Sequence, residues 1–118
     1  GEIEMRRSFF PYLAVGFLLL LCGVAAAHPA ASIEATLQPD GKLQVVVSHT
    51  VNDPLKHYIN RIVISSDGKV IAEERFNQQT DKTGLVVEIT AAGLSKGQTV
   101  QIETDCNIFG SLKKTFTL

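Results

Sequence analysis

Residues 57–76 read HYINRIVISSDGKVIAEERF, and this stretch decides the fold class. Two runs rich in β-branched and aromatic residues, the side chains that favour strands, flank the segment SDGK at positions 66–69. Asp and Gly tolerate the tight corner that a short turn requires. The pattern predicts two antiparallel strands joined as a β-hairpin.

On both sides of this hairpin the sequence alternates apolar and polar side chains with a period of two residues, which is the period of a β-strand. In SIEATLQ, residues 32–38, apolar side chains alternate with polar ones, as in a half-buried strand. Further short strands are predicted at LQVVVSH (43–49), LVVEI (85–89), TVQIETD (99–105) and LKKTFTL (112–118). Seven short strands without a convincing amphipathic helix predict an all-β, immunoglobulin-like β-sandwich. The connection TAAGLSKGQ, residues 90–98, has room for a single helical turn.

The sequence predicts a leader before the strands. Arg6 and Arg7 are followed by an apolar run over residues 9–24 and by three alanines at 25–27. This is the pattern of a secretory signal peptide, with cleavage predicted after Ala27 and a periplasmic or secreted mature domain. We therefore divide the chain into residues 1–27, the signal peptide with its upstream residues, and a single domain at 28–118. The apolar run is shorter than the ~20 residues that span a bilayer. A membrane association would require an uncleaved leader or lipidation of Cys22.

The charge and the cysteine content restrict which kinds of function this domain could have. The formal net charge is −1, and no strongly basic or acidic stretch predicts a nucleic acid partner. Only Cys106 remains after predicted cleavage, so no internal disulfide can staple this small domain. An unpaired cysteine in an oxidising compartment is itself a feature to explain.

All three histidines of the chain fall in the predicted domain, at His28, His49 and His57. His28 opens the domain, and the other two lie at predicted strand ends, as does Cys106. Because strand ends of one sandwich meet at a common rim, these donors can gather into a metal site. Taken singly, each has a plainer interpretation: an exposed or hydrogen-bonded histidine, a frayed terminus, or a small buried thiol.

Two segments carry a family resemblance. SHTVNDPLKHYINRI (48–62) and DCNIFGSLKK (105–114) resemble the iron domain of desulfoferrodoxin and the superoxide reductases. That family has a His-Pro-Met loop, a His-Tyr-Ile segment and a later Cys-Asn-x-His-Gly motif. The resemblance implies an immunoglobulin-like sandwich with one iron held by four imidazoles and a cysteine thiolate, and a sixth position open to superoxide. It places ligands at His49, His57 and Cys106, and an early histidine at His28.

The chain also departs from the family pattern. Phe109 stands where the last histidine ligand would be, and the loop between His49 and His57 is two residues longer than usual. Ala26 and Ala27 replace a Glu-Lys pair that in the family faces the iron and superoxide. Three imidazoles and one thiolate suit Zn or Cu as well as Fe. If cleavage follows Ala27, the α-amine of His28 would offer a further nitrogen.

Two functions follow. The first is an exported metal-binding domain, with iron preferred, that resembles superoxide reductase and reduces superoxide with electrons from an unknown donor. The alternative is a metal-free sandwich that serves as a binding or carrier module for another periplasmic protein; the sulfur-oxidation carrier complex contains a subunit of related appearance. The first predicts His49, His57 and Cys106 atoms within about 4 Å of a common point. The second predicts that Cys106 packs with Phe109 in an apolar core.

Overall fold

The computed structural model describes residues 28–118, which form seven strands and no helix. The strands are β1 (Ser32–Leu37), β2 (Leu43–Ser48), β3 (Ile59–Ser66), β4 (Lys69–Arg75), β5 (Gly84–Ile89), β6 (Thr99–Cys106) and β7 (Ser111–Thr117). No helix in this part of the chain is long and apolar enough to cross a membrane. The expected leader, its cleavage after Ala27 and lipidation at Cys22 fall outside the described residues.

The strands build two antiparallel sheets. One has the order β1-β2-β5 and the other β4-β3-β6-β7. The predicted hairpin joins β3 to β4 through a two-residue loop, Asp67 and Gly68, both with positive φ. Positive φ at both positions is the requirement of the turn that matches strand twist, which Asp-Gly satisfies well. The predicted all-β, immunoglobulin-like sandwich is confirmed.

The core lies between the two sheets and is aliphatic. It consists of residues that alternate along the inner faces of the strands, mainly Ile33, Leu43, Val45, Val47, Ile59, Ile62, Ile64, Leu85, Ile89, Val100 and Ile102. Each buried aliphatic side chain contributes about 1.5–3 kcal/mol relative to an exposed one. This packing explains how the sandwich stays together without a tryptophan or a disulfide.

Strand direction sets which chain segments meet at one end of the sandwich. The start of β1 pairs with the end of β2, since Ser32 lies opposite Ser48. The start of β3 pairs with the end of β6, since Ile59 lies opposite Cys106. We call the end formed by the segments next to these four strand termini the rim.

Three details differ from the sequence-based expectation. His49 follows the last residue of β2 rather than ending it, and His57 precedes β3 by two residues. Both histidines therefore lie in loops, where their rings can turn toward the rim. Residues 90–98 form turns in place of the single helical turn, because glycines at 93 and 97 adopt positive φ there.

Candidate metal centre

His28 lies on the segment that leads into β1. This segment runs alongside the end of β2, where Ala31 N donates a hydrogen bond to Ser48 O over 2.8 Å. His28 Nδ1 is 3.1 Å from the carbonyl oxygen of Pro29. A proton on Nδ1 makes this contact a hydrogen bond, and the Nε2 lone pair is then free to bind a metal.

Glycine at position 110 allows this segment to approach the β6–β7 turn. A Cβ atom on Gly110 would lie 2.9 Å from Cβ and Cδ of Pro29, closer than carbon atoms pack. Gly110 also has φ of +96°, which L side chains rarely adopt. The absence of a side chain at Gly110 thus lets His28 reach the turn that follows Cys106.

His49 is fully buried, and the β5 side of the rim fixes its backbone. His49 N donates to Thr83 O over 2.9 Å, and Val51 N donates to Lys82 O over 2.9 Å. Gly84 permits the close approach, since a Cβ atom there would overlap Val47 O. The imidazole Nδ1 lies 2.9 Å from the side-chain oxygen of Gln79.

His57 is held by a turn and by an asparagine. Its backbone N–H donates to Asp53 O over 2.9 Å, which closes one turn of the loop. Asn107 binds the same loop twice through its side chain: Oδ1 accepts from Tyr58 N over 2.8 Å, and Nδ2 donates to Lys56 O over 3.0 Å. Its backbone N–H donates to Tyr58 O over 3.0 Å. These three hydrogen bonds fasten the His57 loop beside Cys106.

Cys106 is a buried free thiol in contact with one of the histidines. Its Sγ atom lies 3.2 Å from His57 Nε2. This separation fits a sulfur–nitrogen hydrogen bond, and it is also close to the spacing of two donors that share a metal ion. Cys106 thus contacts one histidine of the group, but it is not among the three residues whose donor atoms all lie within 4.8 Å of one another.

The three imidazoles form one compact cluster. One ring nitrogen from each of His28, His49 and His57 lies within 4.8 Å of the other two. The ring centroids are 4.9, 5.2 and 4.8 Å apart. A single point can therefore lie within about 3 Å of all three nitrogens. Metal–nitrogen bonds are ~2.0–2.1 Å long, so small movements of the side chains would bring the three nitrogens to bonding distance of one metal ion.

A second ring contact of His49 lies inside the cluster. His49 Nε2 is 3.2 Å from the carbonyl oxygen of His28. A proton on Nε2 makes this contact a hydrogen bond, whereas a ring whose only proton is on Nδ1 leaves the Nε2 lone pair available to a metal. The three imidazoles form a donor set that suits a bound transition metal.

The surroundings of His57 favour its neutral form. Burial lowers its pKa below the usual value, and the neighbouring His49 and His28 lower it further because positive charges on adjacent rings repel. A neutral imidazole is the form that binds metal.

Phe109 contradicts the packing expected for the metal-free alternative. Its side chain is 66 % exposed, whereas Cys106 is buried, so the two do not form a shared apolar core. Ile108 and Leu55, on the same side of the rim, are also largely exposed. The turn after Cys106 therefore points its apolar side chains into solvent.

No protein-family model matches the chain, and no curated protein has a significantly similar sequence. Among solved structures, the fold resembles a superoxide reductase (1Fe-SOR) from Giardia intestinalis, with a TM-score of 0.54 and 17% identity. The match covers 77% of this chain and 100% of that one. The likeness is one of fold. It agrees with the sandwich expected from the sequence, and ligation by His28, His49, His57 and Cys106 stays a prediction.

Sequence reasoning missed two residues that shape the rim, Gln79 and Asn107. Gln79 lies in a loop that the sequence marks only as polar, and its contact with His49 spans 30 positions. Asn107 follows Cys106 directly, and this adjacency to a candidate ligand was the available signal.

Proposed function

We propose that this domain binds one metal ion at the rim through His28, His49, His57 and Cys106, and that iron is the metal. The supporting observation is that the imidazoles of three histidines, from segments next to three different strands, gather at the rim, and that the Cys106 thiol contacts one of them. Nitrogen and sulfur donors of this kind suit first-row transition metals. The fold-level likeness to a superoxide reductase favours iron over zinc or copper.

The proposed reaction is reduction of superoxide. Bound ferrous iron would supply the one electron that, with two protons, converts superoxide to hydrogen peroxide. An external electron donor would then restore the ferrous state, and an exported domain would meet both reactants outside the cytoplasm. The signal peptide and the periplasmic location are part of this proposal.

The residues have separate roles in it. The His49 imidazole is held by Gln79, and the His57 loop is held by backbone hydrogen bonds, so their donor atoms would need little reorganisation to bind. The Cys106 thiolate would donate electron density to the metal. Phe109 has no donor atom, so the chain offers one imidazole fewer than the family that it resembles.

Metal analysis and an activity assay test the proposal. The domain at residues 28–118 is loaded with ferrous iron without oxygen, passed through a desalting column and assayed for iron and for superoxide consumption. We expect one iron per chain, a thiolate-to-ferric absorption band after oxidation, and superoxide consumption above that of free iron. Iron bound without that consumption would leave a metal-binding domain without the reductase activity.

The metal-free carrier hypothesis makes the opposite prediction. It requires that Fe, Zn and Cu all fail to bind at stoichiometric levels and that Cys106→Ser leaves folding unchanged. This pair of results would exclude the metal site.

A further inference from the structure

Gln79 is a buried side chain whose hydrogen bonds are all used at the rim. It is 4% exposed. Its Nε2 group donates to His49 O over 2.7 Å and to Asp81 O over 3.0 Å. Its Oε1 atom is 2.9 Å from His49 Nδ1 and accepts from Ile59 N over 3.2 Å. The backbone N–H of Gln79 also donates to Pro54 O over 3.2 Å.

These partners fix which way the amide points. Two carbonyl oxygens, of His49 and Asp81, can only accept, so they must face the NH₂ group of Gln79. The side-chain oxygen is then left facing His49 Nδ1. An oxygen acceptor at 2.9 Å requires that this nitrogen carries the proton.

We propose that Gln79 is a positioning residue that holds His49 in its Nδ1-protonated tautomer and so keeps the Nε2 lone pair directed at the rim. A histidine that ligates a metal through one nitrogen generally donates its other N–H to an acceptor that sets tautomer and ring orientation. Here that acceptor is an uncharged amide, and it also binds the strand that follows His57. The metal-binding part of this inference rests on the proposed function, and the tautomer part does not.

Three variants test separately the acceptor role of the Gln79 side-chain oxygen and the donor role of its NH₂ group. Gln79→Met keeps the side-chain length and removes every side-chain hydrogen bond. Gln79→Glu keeps the acceptor for His49 and removes the NH₂ donors. Gln78→Met makes the matched change at the neighbouring exposed position. All three are first checked for folding by circular dichroism and thermal unfolding.

The first measurement uses metal-free protein. Nitrogen-15 NMR at pH 8, where imidazoles are neutral, reports which ring nitrogen of His49 carries the proton. We expect Nδ1–H in the wild-type protein, in Gln78→Met and in Gln79→Glu, and a loss of this single tautomer in Gln79→Met. A wild-type His49 protonated on Nε2, or an unchanged tautomer in Gln79→Met, would overturn the proposal.

The second measurement is iron and zinc affinity by competition with a chelator. We expect Gln79→Met to bind about 10–100-fold more weakly than Gln78→Met, as for other residues that orient a ligand. We expect Gln79→Glu to recover most of the loss. Equal affinities of the two methionine variants would overturn the role in binding. If no protein in the series binds metal, the proposed function fails, and the NMR result still decides the tautomer.

Discussion

Phe109 lies in the turn that begins immediately after Cys106 and has no atom that binds metal. It stands where the sequence resemblance to the superoxide reductases would place a histidine. Because the side chain is largely exposed, a polar ring can replace it at little cost to the core. The position is therefore suited to a gain-of-function test.

Phe109→His is expected to raise the affinity for ferrous iron by about tenfold or more, or ~1.4 kcal/mol, by adding a fourth imidazole. Chelator competition measures the change. Ile108→His is the matched control, because residue 108 is also exposed and lies in the same turn. An equal gain in both variants would show that any added surface histidine suffices and would remove the argument for position 109.

Cys106→Ser tests the sulfur donor with nearly unchanged side-chain size. The variant is expected to lose the thiolate-to-ferric absorption band and to bind zinc and iron more weakly, because an alcohol is a poor ligand at neutral pH. Absorption and electron paramagnetic resonance spectra of the iron-loaded proteins provide the measurement. A band that persists in the serine variant would assign it to some other donor.

The pKa of His57 predicts a pH dependence. Because the folded state lowers this pKa, unfolded protein takes up a proton more readily, and the stabilisation is present above the ordinary value of about 6.5. It is lost as the pH falls below that value and through the lower pKa of the folded state. Urea unfolding of metal-free protein is expected to show falling stability between about pH 7 and pH 5, with a shallower slope in His57→Gln. Identical slopes would contradict the neutral assignment.

At the scale of elements, the rim depends on turns that bring side chains together rather than on the strands themselves. The contact of Pro29 with Gly110 joins the start of the domain to the β6–β7 turn. It also sets how close His28 comes to the other two histidines. A side chain at residue 110 would have to displace this segment.

Gly110→Ala is expected to destabilise the domain by ~1 kcal/mol or more and to weaken metal binding, since it adds backbone strain and pushes Pro29 away. Gly93→Ala is the control: Gly93 also has positive φ, and nothing lies within 4 Å of its Cβ position. Thermal unfolding and zinc titration of both variants separate strain from displacement. Equal metal affinity in the two would show that the Pro29 contact does not position His28.

The sequence predicted the strands better than the rim, for a physical reason. Strand periodicity and the Asp67-Gly68 turn are local signals, and they identified all seven strands. The convergence of three histidines follows from antiparallel strand order, so it too could be predicted from the sequence. The roles of Gln79 and Asn107 depend on hydrogen bonds across 30 and 49 positions, which no local pattern encodes.

At the scale of the whole molecule, a small sandwich that relies on an aliphatic core without a disulfide is expected to have a modest free energy of unfolding. Metal binding at the rim would join segments next to both sheets, through His28 and His49 beside β1 and β2 and through His57 before β3. A ligand that binds only folded protein stabilises it by mass action.

Free metal at about 100 times its dissociation constant is expected to add ~2.7 kcal/mol to the free energy of unfolding. For a domain of this size, that corresponds to a rise in melting temperature of roughly 10–20 °C. Calorimetry with and without zinc measures the shift, and His57→Asn serves as the control that lacks one donor. A shift of the same size in the control would place the bound metal elsewhere.

The two ends of the described chain lie at opposite ends of the sandwich. His28 lies at the rim, whereas β7 runs away from Cys106 and brings Leu118 beside Gln98, where Leu118 N donates to Gln98 O over 2.9 Å. Seven strand residues separate these ends by about 20 Å. A purification tag or electrode linker fused after Leu118 would therefore leave the histidines open to solution, whereas the same fusion before His28 would crowd them.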